Sequence, residues 1–529
     1  MNPLRVGIIT AAPHSAEPWE RQLLKRISED DRLQLAAVIV AETAPASEAG
    51  GAYGLIRRLD RKVFGRAPAA PGYDDFGRDV PHIAFADALS DPAALALDLV
   101  IEAVDASGAE ALRDAVPYGG WTFDFCLIDA VKADVTGFWE AFGRAELTPV
   151  SVIRRRDGEA RLAARTAFNT KFSGARNAAY LKVRAVSLMV KELRRLSAER
   201  SLDAAAPVYA AGPARRPGAG AAIGYGVGVM RELARRAAME AWARLGLRSD
   251  MWAIHVGRGG APFVSIDDTR KIDPFLGELW ADPFLWRRDD GLYVFFENFS
   301  YRTRLGRISV GRLEDDGLRF LGDALDLEHH LSYPFIFSHG DQIYMMPERH
   351  QADRVEVWRC VDFPLKWELH ATALEGRSPA DSLLHFDGEG WWLFTNLADK
   401  LYPDHCAELH VFKVDGPDLK SVTAHEANPV VIGSELARNG GRIFARGGRL
   451  FRPAQINTHG VYGYGLNIME ISDLSLDRYT ERLVHRITPE GSPDLRGCHH
   501  MDVDGEVFVI DVCHRLGGRG RPAAPVVRF

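Results

Sequence analysis

The chain is poor in cysteine, in long apolar runs and in positive charge. Its 529 residues include five scattered cysteines, Cys126, Cys360, Cys406, Cys498 and Cys513, with no CxxC pair. Structural zinc sites need closely spaced ligand pairs, so the thiols are predicted to be reduced and no metal site is expected. No motif predicts a cofactor either.

The other two absences bear on location and partners. No apolar run reaches the about 18 residues of a membrane span, and the stretch before Pro13 is too short for a signal-peptide core. The sequence therefore predicts a cytoplasmic protein. Lys and Arg number 65 against 72 Asp and Glu, a net charge of −7, so no nucleic-acid partner is expected.

The length predicts two to four domains at roughly 100–200 residues each. Short β-branched runs at 4–10, 33–40 and 97–104 alternate with helix-like stretches. This alternation is typical of an open, mainly parallel α/β sheet with helices on its faces. A basic helical stretch follows up to Arg200, and residues 1–200 are assigned to this α/β domain.

Residues 201–249 are predicted to be a linker with one basic helix. The tract 204–222 holds three prolines and little to bury, which predicts a loop, and a helix is expected at about 228–245. A solvated helix face is the simpler interpretation of its arginines, and contact with an anionic membrane surface is the alternative. These arginines are Arg231, Arg235, Arg236 and Arg244.

Residues 250–529 read as all-β and contain an internal repeat. Segments beginning at 281, 332 and 380 share one pattern of apolar strand, polar turn and apolar strand, and weaker copies begin at 441 and about 498. Small antiparallel units recurring every 40 to 60 residues or so predict a five-bladed β-propeller. Two further strand-like runs, 251–257 and 524–529, are expected to join the fifth blade and close the ring.

The repeat predicts a polar rim, because the first strand of a blade begins where the second one ends. The positions where first strands begin are Asp282, Tyr333, Asp381, Arg442 and His499 or His500. The positions where second strands end are Glu297, Glu348, Asn396, Gln455 and His514. Carboxylates around one mouth suit glycosidic chemistry, in which an acid protonates the leaving oxygen and a carboxylate activates water or a hydroxyl. The alternative is turn chemistry, with Asp capping strands and Glu pairing with a rim arginine.

Several motifs carry a family resemblance. ADPFLW, FFENF, HLSYPFIF, MMPERH and ADSLLHFDGEGWWLF occur in this order, and with them residues 250–529 resemble the propeller domain of glucosamine inositolphosphorylceramide transferases. That domain is similar to the propeller of glycoside hydrolase family 43. The resemblance implies an Asp base on the first blade, matched by Asp282, and a second Asp, matched by Asp381. The family 43 acid follows both aspartates, whereas Glu348 lies between them.

The N-terminal half resembles the formyltransferase fold through YGGWTFDF at 118–125 and TGFWEAF at 136–142. Asp124 stands where that family has its catalytic His, so the resemblance implies a degenerate binding domain or scaffold.

These observations predict a carbohydrate-active protein of the glycosidase or glycosyltransferase class, which binds and cleaves or transfers a glycosyl unit of a polysaccharide or glycoconjugate. The assigned catalytic residues are Asp282 as base, Glu348 as acid and Asp381 as the tuning carboxylate. The substrate-binding residues are Glu297, Tyr333, Asn396, Arg442, Gln455 and His500. Two alternatives remain: a formyl or acyl transferase acting on a nucleotide or amino sugar, and a noncatalytic glycan-binding adaptor.

We expect no folate-dependent formyl transfer by this chain, because the carboxylate of Asp124 cannot supply the cationic stabilisation that a His gives a tetrahedral intermediate. Incubation with a formyl-folate donor and amino sugars, followed by mass spectrometry, checks this expectation. Formylation that Asp124→Ala abolishes and Asp282→Asn preserves would contradict it.

Overall fold

The computed structural model describes the chain in nine stretches. These are residues 2–11, 16–41, 50–65, 80–104, 106–126, 135–202, 215–244, 250–398 and 403–515. They form two compact units, of which the first ends at Leu233 and the second begins at Ala234.

The first unit is built on one mixed sheet. Its strands are β1 (Leu4–Thr10), β2 (Leu33–Val40), β3 (His82–Ala84), β4 (Leu99–Glu102), β5 (Gly120–Phe123), β6 (Leu147–Arg156) and β7 (Glu159–Asn169). The spatial order is β3-β2-β1-β4-β5-β6-β7. The first five strands run parallel, and β5/β6 and β6/β7 are antiparallel. The predicted α/β class is confirmed, and the β6–β7 hairpin makes the sheet mixed.

Helices cover this sheet. They are α1 (Pro18–Ser28), α2 (Gly51–Phe64), α3 (Phe85–Ser90), α4 (Glu110–Ala115), α5 (Phe138–Gly143), α6 (Gly174–Glu199) and α7 (Ala219–Arg244). Helix α6 buries a stripe that runs from Tyr180 to Leu196, as the apolar spacing of the sequence predicts. Among the described residues, no helix is long and apolar enough to cross a membrane.

Helix α7 begins earlier than the composition predicts. It starts at Ala219, whereas residues 204–222 were expected to form a loop. The last proline of the tract is Pro217, so the residues after it can take helical geometry. Ala222 and Tyr225 are buried against Tyr53 and Phe138, and this packing outweighs the low helix propensity of the neighbouring glycines.

The second unit is all-β. Its strands are β8 (Asp250–Arg258), β9 (Thr269–Ile272), β10 (Glu278–Arg288), β11 (Gly291–Ser300), β12 (Leu305–Glu314), β13 (Gly317–Leu325), β14 (Ser332–His339), β15 (Gln342–Glu348), β16 (Val355–Asp362), β17 (Lys366–Ala373), β18 (Pro379–Phe386), β19 (Trp391–Leu397), β20 (Glu408–Val414), β21 (Val422–Ala424), β22 (Val431–Ile432), β23 (Phe444–Arg446), β24 (Arg449–Ile456), β25 (Gly465–Leu474), β26 (Tyr479–Ile487), β27 (Leu495–Gly497), β28 (Met501–Asp504) and β29 (Val507–Arg515).

These strands form five antiparallel blades. The first four are β10–β13, β14–β17, β18–β22 and β23–β26, and the fifth combines β27–β29 with β8 and β9. The predicted five-bladed propeller is therefore confirmed. Strand β8 pairs with β29 along its length, including Val256 with Val509, so residues 252–256 complete the fifth blade as expected. Residues 524–529, the other expected partner, lie outside the described residues.

A bulge opens the inner strand of each of the first three blades. In the first blade, Ala281 pairs with Glu297 and Phe284 with Phe295, so two residues on β10 face one on β11. The bulged residues of the three blades are Asp282, Tyr333 and Asp381, with φ of 49°, 47° and 45°. This left-handed geometry costs a residue with a side chain about 1–3 kcal/mol. The three positions that align in the sequence repeat are thus also equivalent in the structure.

The closing strand pair carries two histidines in contact. His255 of β8 donates through Nδ1 to the hydroxyl of Thr269, which itself donates to the carbonyl of Ile266. The Nε2 atom of His255 must then accept a hydrogen bond from the Nε2–H group of His514, 2.9 Å away. Burial, together with this histidine neighbour, lowers the pKa of His255 to about 3, and burial lowers that of His514 to about 4.

We predict that acid destabilises the propeller through this pair. Unfolded histidines bind protons below about pH 6.5, and the folded pair does not until pH falls towards 4. The free energy of unfolding should therefore decrease as pH falls below about 6.5, by at most about 1.4 kcal/mol per pH unit for each ring and less for the partly exposed His514. Denaturant unfolding of His514→Gln between pH 7 and 4.5 or so should show a shallower decrease. The exposed His339→Gln should follow the parent chain, and an unchanged slope for His514→Gln would refute the role of the pair.

Candidate active site

A cavity of about 290 Å³ lies where the inner strands of the propeller begin. Three predicted residues, Asp282, Glu297 and Glu348, line it. The other lining residues are Trp252, Leu279, Ala281, Phe299, His330, Ser332, Arg438, Tyr462 and His499. The bulges bring the three carboxyl groups together, since Glu297 and Glu348 each pair with the residue that precedes a bulge.

Asp282 is held in place by hydrogen bonds to the two blades on either side of its own. Its amide donates to Asp511 of the fifth blade at 3.1 Å, and its own carboxylate accepts the amide of Tyr333 of the second blade at 3.1 Å. The other carboxylate oxygen faces the imidazole of His499 at 3.3 Å. Asp282 is thus fixed in position with one oxygen towards the cavity wall that His499 forms.

His499 lies between two carboxylates. Its ring nitrogens are 3.3 Å from Asp282 and 2.9 Å from Asp511. Burial opposes a charge on this ring, yet the two carboxylates raise its pKa well above the usual range and favour the imidazolium form. The predicted His500 is different: its ring is fully buried against Phe284 and Tyr333 and does not line the cavity.

The environment of Glu297 favours its protonated form. Burial and the negative charge of Asp282 raise its pKa well above the usual range. His330 faces it, with Nε2 3.4 Å from Glu297 Oε1. The Nδ1 atom of His330 accepts the amide of Gly306 at 2.9 Å, so a neutral ring carries its hydrogen on Nε2, towards Glu297. Oε1 then acts as the acceptor, and the acidic proton belongs on Oε2.

Gly306 permits this approach. A Cβ at this position would lie 2.5 Å from the carbonyl oxygen of Leu331 and 2.9 Å from Glu297 Oε1. Any side chain would therefore displace the histidine or the glutamate, and a glycine is required where β12 passes the cavity.

Glu348 is ionised, in contrast to Glu297. Burial alone would raise its pKa, but hydrogen bonding with His350 and the charge of Arg438 hold the pKa of Glu348 below the usual range. Its carboxylate accepts the amide of Asp381 at 3.2 Å and faces Arg438 Nη2 at 3.3 Å. The acid role expected for Glu348 therefore fits the electrostatics of Glu297 better.

Asp381 lies behind Arg438 and does not line the cavity. Arg438 donates to both of its oxygens, at 2.6 and 3.2 Å, and Gln455 donates to it at 3.0 Å. One guanidinium thus serves two carboxylates. Burial and the neighbouring Glu348 raise the pKa of Asp381, while the charge of Arg438 opposes this shift.

Four other predicted binding residues form hydrogen bonds within the propeller and do not line the cavity. Asn396 accepts the amide of Asn439 and donates to two carbonyls, and Gln455 also donates to the carbonyl of Asn439. The Tyr333 hydroxyl donates to the carbonyl of Gly441. Arg442 pairs with Asp502 at 3.0 Å and donates to the carbonyls of Leu285 and Ile336.

Sequence reasoning missed Arg438, His330, Trp252 and Tyr462. The sequence alignment of the fourth blade selects Arg442. The structurally equivalent residue is Asn439, three positions earlier, because its amide donates to the preceding blade as the bulge amides of the first three blades do. The stretch ELARNGGR therefore held the signal for Arg438. Trp252 and Tyr462 pack edge-on against His499, with ring centroids 4.4 and 5.2 Å apart.

Asp282, His499 and Asp511 are the one trio in the described stretches that could hold a metal ion, with donor atoms all within 4.8 Å of one another. His499 already bridges both carboxylates, so a cation there would have to displace the ring proton.

The first unit contains a separate cavity of about 430 Å³ whose lining includes Trp19, Tyr53, Arg57, Arg61 and Lys182.

Residues 259–503 match the family model described as glucosamine inositolphosphorylceramide transferase 1, N-terminal. The propeller resembles the N-terminal domain of these transferases. The Oryza sativa subsp. japonica protein of this name is 38% identical over 205 residues, which are 38% of this chain and 27% of that one. The Arabidopsis thaliana protein is 34% identical over 232 residues, 42% of this chain and 30% of that one. The chain thus spans less than a third of the length of these relatives.

The chain is also similar to solved structures, among them an exo-beta-1,3-galactanase from Clostridium thermocellum. It is 12% identical with a TM-score of 0.34, and the match covers 48% of this chain and 57% of the galactanase. A family 117 glycoside hydrolase from the marine bacterium Zobellia galactanivorans is 10% identical with a TM-score of 0.33, and the match covers 52% of this chain and 96% of the hydrolase.

We predict that Arg438→Met destabilises the propeller strongly. It would leave Glu348 and Asp381 buried together without a positive charge, which costs about 3–5 kcal/mol in the free energy of unfolding. Urea unfolding measures this cost. The matched control is Arg446→Met, which removes an exposed pair with Glu506 and should cost less than about 1 kcal/mol. Equal effects of the two substitutions would contradict the buried network.

Proposed function

We propose that the propeller cavity binds a glycosyl unit of a polysaccharide or glycoconjugate and acts on its glycosidic bond, by cleavage or by transfer. The observation that carries this proposal is a pair of glutamates that line one cavity in opposite environments: burial and Asp282 raise the pKa of Glu297, whereas His350 and Arg438 lower the pKa of Glu348. Environments that push the pKa values of neighbouring carboxyl groups apart let one donate a proton while the other stays anionic, as glycosidic chemistry requires.

The roles follow from these environments. Glu297 donates the proton to the leaving oxygen, and the Nε2 hydrogen of His330 stabilises the carboxylate that remains. Asp282 activates the attacking water or hydroxyl, because the Tyr333 amide and His499 fix its carboxylate beside the cavity. Glu348, as a fixed anion, stabilises the positive charge that develops on the sugar ring. This proposal exchanges the acid assigned from the sequence, Glu348, for Glu297.

Sugar binding uses the remaining lining residues. Trp252 and Tyr462 offer aromatic surface to the apolar face of a sugar, and Ser332 and Arg438 offer polar groups to its hydroxyls. The relatives are named for glucosamine, inositolphosphorylceramide and transfer, so amino sugars and the headgroups of glycolipids are the first substrates to test.

Noncatalytic glycan binding is the second candidate. The hydrogen bonds between blades favour this candidate. Asp282 and Glu348 each accept a backbone amide of a neighbouring blade, so both carboxylates already have a structural role. Catalysis requires the proton of Glu297, whereas noncatalytic sugar binding does not.

We predict that Glu297→Gln abolishes turnover and preserves sugar binding. Gln has the shape and the neutral charge of the protonated acid, so the substitution removes the transferable proton and little else. Its kcat should decrease about 100-fold or more. Assays use aryl glycosides and nucleotide sugars with a glycolipid acceptor, and calorimetry measures sugar binding.

Asp282→Asn should abolish turnover as well, while Glu389→Gln, at an exposed turn of the third blade, should leave it unchanged. Turnover by Glu297→Gln at the rate of the parent chain would refute the acid role. Sugar binding without turnover by the parent chain on all these substrates would favour the noncatalytic candidate.

A further inference from the structure

Three helices of the first unit expose large apolar side chains in one region. Helix α2 exposes Leu55, Leu59 and Val63 by 55–62%, and α7 exposes Ile223, Val227 and Met230 by 57–65%. The spacing of four residues along α2, and of four and three along α7, places each set on a single helix face. Helix α5 adds Trp139 and Phe142, exposed by 38% and 39%. We call these eight side chains the apolar patch.

The patch is continuous because the helices touch between its parts. The side chain of Ile56 packs over Gly226, where a Cβ would lie 3.6 Å away, so α2 and α7 meet between their exposed stripes. Phe142 packs over Gly224 in the same manner, at 3.5 Å, and joins α5 to α7. The inner faces of the three helices are already buried among Tyr53, Phe138, Ala222 and Tyr225. The patch is therefore a second, outward apolar surface.

The composition of α7 supports the same conclusion. Residues 219–230 contain no charged side chain, and the helix is apolar on both its inner and its outer face there. A helix of this kind normally lies within a protein core or against lipid.

Basic side chains surround the patch. Arg58 and Lys62 are exposed on α2, Arg231 on α7, and Arg215 and Arg216 precede α7 beside Trp139, whose indole donates to the carbonyl of Arg215. The acidic residue of α2, Asp60, is directed inward, where it accepts bonds from Ser173, Ala175 and Tyr225. Glu140 on α5 and Glu232 on α7 are acidic, and the basic side chains outnumber them around the patch, although the whole chain carries a net charge of −7.

We propose that the apolar patch is a docking surface for an anionic lipid bilayer. The six aliphatic and two aromatic side chains insert at the boundary between headgroups and acyl chains, and the basic rim binds the headgroups. This places membrane contact on α2, α5 and the first half of α7. The proposal is independent of the carbohydrate chemistry proposed for the propeller.

The test is sedimentation of the full chain with vesicles of phosphatidylcholine, alone or mixed with phosphatidylserine. Binding to the mixed vesicles should be strong and should weaken with added salt. Leu59→Glu and Val227→Glu, each at an exposed position, should each lower the partition coefficient about tenfold. The pair Arg58→Gln and Lys62→Gln should lower it about fivefold per charge on mixed vesicles only.

Matched controls come from the propeller. Leu276→Glu and Val361→Glu change side chains exposed by 94% and 60%, and both variants should bind as the parent chain does. Asp282→Asn should also bind normally, which separates this proposal from that for the active site. Equal binding by Leu59→Glu, Val227→Glu and the controls would overturn the proposal. A dimer in light scattering that Val227→Glu dissociates would overturn it too, since a second copy of the chain would then cover the patch.

Discussion

The propeller depends on one recurring interaction, in which a side-chain oxygen of one blade accepts a backbone amide from the start of the next. Asp511 accepts the amide of Asp282, Asp282 that of Tyr333, Glu348 that of Asp381, and Asn396 that of Asn439. Between the fourth and fifth blades, the amide of Met501 donates to the backbone carbonyl of Gly440. Hydrogen bonds to charged acceptors contribute about 1.5–3 kcal/mol each, which is of the same size as the cost of the left-handed bulges that present three of these amides.

This ring also distributes its amide donors unevenly among the buried carboxyl groups. Amide donors stabilise the anionic form of an acceptor, and Asp511, Asp282 and Glu348 each receive one or more. In the first blade the bulged residue Asp282 is itself the acceptor for the next blade. Glu297 therefore receives no such amide among the described residues, and burial beside Asp282 raises its pKa. The ring of interblade bonds thus leaves this glutamate without an amide donor.

The repeat made much of this predictable. The three segments at 281, 332 and 380 align because each must form the same bulge and the same hairpin, so Asp282, Glu297 and Glu348 were placed together correctly. The fourth and fifth blades were harder to align. The inner strand of the fourth is only three residues long, and the repeat pattern aligned it from residue 441, which selected Arg442 in place of Asn439 and overlooked Arg438. In the fifth, two adjacent histidines differ only in which side of the backbone each ring occupies.

The sequence by itself determined the α/β and propeller classes, the number of blades and the strand that closes the ring, since these follow from hydrophobic periodicity and turn spacing along the chain. Only the tertiary structure decided the charge states and the start of α7. The raised pKa of Glu297, the lowered pKa of Glu348 and the position of Asp381 behind Arg438 arise from burial and from neighbouring side chains. The glycine-rich start of α7 is helical because Ala222 and Tyr225 find a surface to pack against. Such contacts between distant segments have no local signature, because their energies depend on distances that only the folded chain sets.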